Sequence, residues 1–124
     1  VDKSPSNVQW TGVVSLDQAR EYLAAADAFF LPSDQENHPM SVLEAAGAGL
    51  PIILRDIPEY DDTFRGDALM ATNDADFVKI IDKLRTDNAY VKRAIAGSKA
   101  IAKRFDSPTG SAQLVELYWS LLDK

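Results

Sequence analysis

Two short apolar runs, Ala28-Phe29-Phe30-Leu31 and Pro51-Ile52-Ile53-Leu54, bracket a segment with the spacing and punctuation of a single helix. The first run stops at Pro32 and Ser33 and is too short for a helix, so it reads as a fully buried strand. Residues 33–38 are polar and lack a helical period, which makes them a loop at the strand's C-terminal end. Pro39 suits the first helical position, where its missing N–H has no intrahelical partner, and it steers His38 out of the helical region. Met40, Leu43 and Gly47 then recur at helical spacing. Gly47 with Gly49 ends the helix before the second strand, residues 51–55. Strand, loop, helix and strand in this order form a βα unit, and few architectures accept one.

The remainder of the chain repeats the unit. Residues 8–14 alternate and turn near Gly12, which predicts a strand. Ser15 or Asp17 can start a helix with Leu16, Ala19, Leu23 and Ala26 as its apolar positions. Glu59 can begin a short helix, and residues 68–71 read as a last short strand. Asn73 and the acids Asp74 and Asp76 cap the next helix, whose apolar positions are Phe77, Ile80, Ile81 and Leu84. The C-terminal third is helical throughout. Val91, Ala94, Ile95, Ser98, Ala102 and Phe105 mark one face of a helix over residues 88–105. Lys92, Arg93, Lys99, Lys103 and Arg104 lie elsewhere around it. Ser107 and Pro108 open a final helix with Val115, Tyr118, Trp119 and Leu122 in a stripe. The expected fold class is α/β: part of a Rossmann-like three-layer domain with a short parallel sheet and a helical C-terminal third.

Composition narrows the functional classes. A chain of 124 residues with 46% hydrophobic content can bury one core as one domain. No apolar run approaches the roughly 20 residues that span a bilayer, and no signal peptide opens the sequence. The absence of cysteine removes disulfides and thiolate metal sites and fits a cytoplasmic location. A net charge of -6 argues against broad nucleic-acid binding. The D-x-D pattern of Asp74 and Asp76 is accounted for by capping, so no metal is expected. Gly47-Ala48-Gly49 closes a helix instead of opening one and is no dinucleotide fingerprint. Ser33 lacks the flanking glycines of a hydrolase elbow.

The chemistry-bearing residues sit in the βα turn. Glu36 and Glu44 stand eight positions apart across it, and ligands of open α/β sheets bind just outside the carboxyl ends of strands. The free N–H groups of Met40 and Ser41 at the helix start would form an anion site there, aided by the helix dipole. Glu44 lies roughly 7 Å along the helix, at about 1.5 Å per residue. Its side chain leans toward the N-terminus and so back toward the same cleft. Glu36 approaches from the loop. A carboxylate can accept from two vicinal hydroxyls at once, so acids beside an anion site suit a polyhydroxy ligand. The spacing alone fits equally a solvated loop acid and a surface helix position.

The frame around those acids, residues 26–33 before them and Leu43-Glu44-Ala45-Ala46-Gly47-Ala48-Gly49-Leu50-Pro51 after them, resembles the donor-binding E-x7-E motif of the group 1, retaining GT-B glycosyltransferases. The resemblance runs from about Val8 to the C-terminus. It implies that Glu36 contacts hydroxyls of a donor hexose and is the catalytic-site acid. It makes Glu44 the ribose-side residue, with the segment of Asn37, His38, Pro39, Met40 and Ser41 around the diphosphate and Gly12 and Val13 near the base. Asn37 and His38 stand where the family usually has a small residue and an aromatic, so His38 reads as a helix cap, a phosphate contact or a packing substitute. Asp56-Ile57-Pro58-Glu59-Tyr60 is similar to the family's Pro-Glu loop without its glycines.

A GT-B enzyme needs two Rossmann-like domains, so the resemblance makes residues 1–124 a partial C-terminal, nucleotide-sugar-binding domain. The acceptor domain and the first donor-domain strands would lie outside it, and the chain alone would be inactive. The implied donor is a nucleotide-sugar, UDP-glucose by family habit, used as substrate with no cofactor; the residues suit GDP- or ADP-linked donors as well. The implied acceptor is a hydroxyl of a glycolipid or glycan. The basic helix over residues 88–105 raises peripheral contact with the inner membrane face, and the last helix raises self-association. A flavodoxin- or receiver-like binding module shares the fold class. A receiver, however, needs an acidic cluster after its first strand, where this chain has Thr11-Gly12-Val13-Val14. A non-catalytic partner domain that keeps the fold is the third reading.

Overall fold

Alternation of apolar runs with helical periods produces a three-layer α/β arrangement in the computed structural model, which describes residues 4–122. The elements are α1 (Leu16–Ala25), β1 (Phe29–Leu31), α2 (Met40–Gly47), β2 (Ile52–Arg55), a 3-10 turn (Pro58–Tyr60), β3 (Leu69–Ala71), α3 (Asp74–Thr86), α4 (Asn88–Arg104) and α5 (Ser107–Leu122). The sheet is parallel, in the order β1-β2-β3. Phe29 pairs with Ile52 and Leu31 with Leu54, while Ile53 pairs with Leu69 and Arg55 with Ala71.

Strand side chains alternate between faces, and the central strand shows how the layers form. Ile52 and Leu54 point into the larger core, with Val42, Ala45 and Ala46 of α2, Tyr60, Phe64 and Ile101 of α4. Ile53 points the other way and packs with Ala71 of β3 and Phe77 of α3. Capping follows the sequence. Ser15 caps α1 in a capping box with Gln18, Asn73 caps α3 through the amide of Asp76, and Asp87 caps α4 through that of Tyr90. Gly49 takes φ 76° just past α2, a left-handed turn that glycine enters without strain.

Several expectations need correction. Residues 8–14 form no strand: a strand exists only by pairing, and no described strand lies beside this segment. β1 is an edge strand and not fully buried, with Phe30 55% exposed. Pro39 occupies the N-cap with ψ 116°, so Met40 is the first helical residue. The buried face of α2 is Val42, Ala45 and Ala46, whereas Met40 is 65% exposed. Leu16 is exposed and Ala26 is the C-cap of α1, outside its helix. On α4 the predicted face holds, and fully buried Ile101 joins it. The stripe of α5 is built as predicted, but Val115, Tyr118, Trp119 and Leu122 are all exposed, since among the described elements the helix packs chiefly on α4.

Candidate functional site

The site is built where β1 hands over to α2. No side chain caps α2, and the amide of Val42 donates to the carbonyl of Pro39 at 3.1 Å. Among the described residues, the amides of Met40 and Ser41 find no backbone hydrogen-bond acceptor. That leaves two donors at the positive end of a helix, an arrangement able to receive an anion. One turn further on, Glu44 is exposed and lines a cavity of about 730 Å³ together with Ser41. The same cavity is walled by Gln9 and Thr11 from the N-terminal loop, Tyr22 of α1 and Phe30 of β1.

Gly12 and Val13 do not line this cavity; their neighbours Thr11 and Val14 do. Gly12 turns the loop with φ 64°, and Val13 is fully exposed. Glu36 is half-buried and is not among the cavity's residues either, so the two acids do not share one pocket. Glu36 instead lies close enough to Tyr60 for its charge to act there. Burial pushes the Tyr60 hydroxyl up to about 12, and the charges of Glu36 and Glu59 add to the effect.

His38 takes the packing role among its three readings. Its ring stacks on Phe64 with centroids 5.4 Å apart and meets Phe105 edge-on at 4.9 Å. The loop that carries Glu36 is therefore held at one end by an aromatic cluster. Asn37 is exposed beside it. The Pro-Glu loop is tied to itself: Arg65 binds Asp56 at 2.5 Å and Asp61 at 2.7 Å, which holds the guanidinium firmly charged. Glu59 sits within the 3-10 turn, as expected. Asp74 and Asp76 take capping and first-turn positions, and the carboxylate of Asp76 accepts from the amide of Thr72 at 3.1 Å.

Sequence reasoning missed two features of this region. Thr11, Gln9 and Tyr22 reach the cavity from loop and helix, and nothing in their spacing marks them. Arg55, at the end of β2, lies between Asp34 at 3.3 Å and Asp74 at 2.9 Å with only 17% of its side chain exposed. The signal was an arginine closing a buried strand, which reads as a plain exit to solvent.

The hydroxyl of Tyr60 is buried without a hydrogen-bond partner among the described residues. Tyr60→Phe is therefore expected to fold at least as stably at pH 7, because it removes a desolvated polar group. The pH dependence has a definite sign. The folded-state pKa lies above the unfolded value of about 10, so the unfolded chain loses this proton first. Wild-type stability then falls as pH rises from 10 towards 12. Denaturant titrations of both proteins at pH 7 and pH 11 check it: the wild type should lose more than Tyr60→Phe on the way up.

The family described as glycosyl transferases group 1 matches residues 2–87. The alpha-galactosylglucosyldiacylglycerol synthase of Streptococcus pneumoniae (strain ATCC BAA-255 / R6) is 31% identical over 105 residues, covering 85% of this chain and 28% of that protein. The processive diacylglycerol alpha-glucosyltransferase of Acholeplasma laidlawii is 31% identical over 86 residues, 68% of this chain and 26% of its own length. A putative teichuronic acid biosynthesis glycosyltransferase, TuaC of Bacillus subtilis (strain 168), is 47% identical over 54 residues, 44% of this chain and 14% of its own. No solved structure matches. The chain thus spans about a quarter of the length of the first two relatives, and within that span it belongs to the group 1 glycosyl transferases.

Proposed function

We propose that this chain is the donor-binding part of a retaining hexosyltransferase, with the acceptor domain and the first donor-domain strands supplied by sequence outside it. The protein would move a hexose, glucose in the first instance, from a UDP-linked sugar to an acceptor hydroxyl. The observation that carries this is the cavity at the start of α2, where Ser41 and Glu44 stand beside two free amides. The amides of Met40 and Ser41 hold the diphosphate by charge-assisted hydrogen bonds. Glu44 accepts from the ribose hydroxyls. Glu36, on the loop, accepts from hydroxyls of the hexose and fixes the sugar as the glycosidic bond breaks. Preorganised acceptors of this kind favour the transition state because they need no reorganisation. Stereochemical retention rests on the family resemblance.

The test is ligand-observed NMR with UDP, GDP, ADP and their glucose conjugates, on the wild type and on Glu44→Ala. Saturation transfer to the ribose of one nucleotide, lost in the variant, is the expected result. Loss of a hydrogen bond to a charged acceptor corresponds to about 1.5–3 kcal/mol, a fall in affinity of roughly tenfold or more. Ribose signals that persist unchanged in Glu44→Ala would remove Glu44 from the site.

The acceptor reading, a diacylglycerol-linked glycolipid, draws on what the first two relatives are named for. One surface feature favours a membrane acceptor. Lys92, Lys99 and Lys103 fall on one exposed stripe of α4 with no ion-pair partner among the described residues. No described helix is long and apolar enough to cross a membrane. Peripheral contact at an anionic leaflet would use about 1 kcal/mol per lysine near the surface. Co-sedimentation with phosphatidylglycerol vesicles, abolished by 0.5 M salt at roughly a 4 Å Debye length, is expected; protein left in the supernatant at low salt would end the idea.

A further inference from the structure

We propose that Arg55 is a positioning residue for Glu36: from the end of β2 it fixes the β1–α2 loop on which that carboxylate is carried. Its guanidinium touches two points at the start of that loop. Nε donates to the carbonyl of Pro32 at 3.3 Å and faces Asp34 at 3.3 Å. The other end of the fork is anchored, with Nη2 donating to Asp74 at the first residue of α3, 2.9 Å away. The guanidinium also lies over the ring of Phe77, 5.2 Å from its centroid. One planar group thus joins the β1–α2 loop, the start of α3 and a buried aromatic ring at the carboxyl edge of the sheet. Glu36 comes two residues after Asp34, and His38, two residues later again, is packed against Phe64 and Phe105. The loop is clamped at both ends with Glu36 between them.

Magnitudes decide what this clamp is for. The Asp34 and Asp74 side chains are 89% and 93% exposed, and ion pairs to exposed carboxylates contribute little to stability. The guanidinium itself is mostly shielded, so what its contacts supply is order in the loop. A fork that binds two carboxylates and stacks on a ring is a task for arginine; lysine offers a point charge and reaches fewer of these partners. A carboxylate on an untethered loop must be ordered at each binding event, and that ordering subtracts from affinity for the group it contacts.

This inference rests on the donor-site reading for its ligand arm, and a second arm is independent of it. Backbone 15N order parameters at residues 35–37 are expected to fall from about 0.8 to about 0.6 or below in Asp34→Ala and Arg55→Met, and less in Arg55→Lys. Unchanged order parameters in Arg55→Met would overturn the positioning role whatever the ligand. In the ligand arm, dissociation constants are measured for UDP, GDP and ADP and for their glucose conjugates. The nucleotide alone should bind Arg55→Met within about twofold of wild type. The preference for the glucose conjugate over its nucleotide should fall five- to tenfold, as it should in Glu36→Gln. An unchanged preference with the nucleotide still bound would overturn the role, as would equal losses for nucleotide and conjugate. Failure of the wild type to bind any of the six would defeat the donor-site reading instead, leaving the order parameters to decide about the loop.

Discussion

Phe64→Ala is expected to be the most damaging single truncation in the chain, costing about 3–5 kcal/mol. Phe64 is fully buried, and its ring lies 5.4 Å from Tyr60, 5.4 Å from His38 and 5.8 Å from Phe105. Three aromatic neighbours cannot all collapse into the space of a lost ring, so a cavity remains and adds to the lost transfer energy. A domain of this size holds about 5–15 kcal/mol in total, so the loss consumes a large share. The melting temperature should fall by roughly 10 °C or more. Phe64→Leu keeps most of the volume and should cost under about 1.5 kcal/mol. Urea titrations of the two variants separate cavity from chemistry: equal losses would show that ring contacts, not volume, dominate. The site should feel the change as well, because His38 loses the surface on which it stacks.

Gly97→Ala is the second large effect, and here two forces oppose one another. Gly97 lies within α4, where replacing glycine by alanine favours the helix by about 1 kcal/mol. A Cβ at this position, however, would overlap the carbonyl oxygen of Asp67 and stand 2.9 Å from its carbonyl carbon and 3.3 Å from its Cα. All three are backbone atoms, so no rotamer change relieves the clash. The segment is also pinned, since Arg104 binds the Asp67 carboxylate at 2.7 Å and donates to the carbonyl of Thr63. Overpacking of this kind costs about 1–3 kcal/mol and sometimes more, so the steric term wins and the variant should be less stable. Gly110→Ala supplies the contrast. Its added Cβ meets nothing within 4 Å, so only the propensity acts, and the change should stabilise by up to about 1 kcal/mol. If calorimetry gave the two variants the same sign, the close approach of α4 to residue 67 would be wrong.

These sites show what a sequence can and cannot disclose. β2 was legible because a central parallel strand is apolar on both faces, and residues 52–54 are apolar without a break. The caps at Ser15 and Asn73 were legible because the rule is local. On α2 the helical period was legible but the depth of each position was not: Met40 is exposed while Ala45 and Ala46 are buried, because α2 lies close against α4, where small side chains are the ones that fit. The strand expected at residues 8–14 failed for another reason. Its alternation is genuine, but pairing is a property of neighbours that a single segment does not encode. At the site, Glu44 and Ser41 could be placed from helix geometry alone. The separation of Glu36 from their cavity could not, nor could the bridging of Asp34 and Asp74 by Arg55, because each depends on how elements distant in sequence meet in space.

The sheet order has a consequence for how such a chain comes to be folded. β1, β2 and β3 are adjacent in space in the order in which they leave the ribosome. Each new strand therefore finds its template already made and must span only one intervening connection, Phe29 to Ile52 and then Ile53 to Leu69. Parallel sheets are slow to form when their pairings are distant, because loop closure precedes any reward. Sequential addition keeps those loops short, so vectorial synthesis and topology run in the same direction. A circular permutant opened between β1 and β2 would make β1 the last strand to emerge, with its pairing to β2 now distant in sequence. It should refold more slowly while retaining most of its stability.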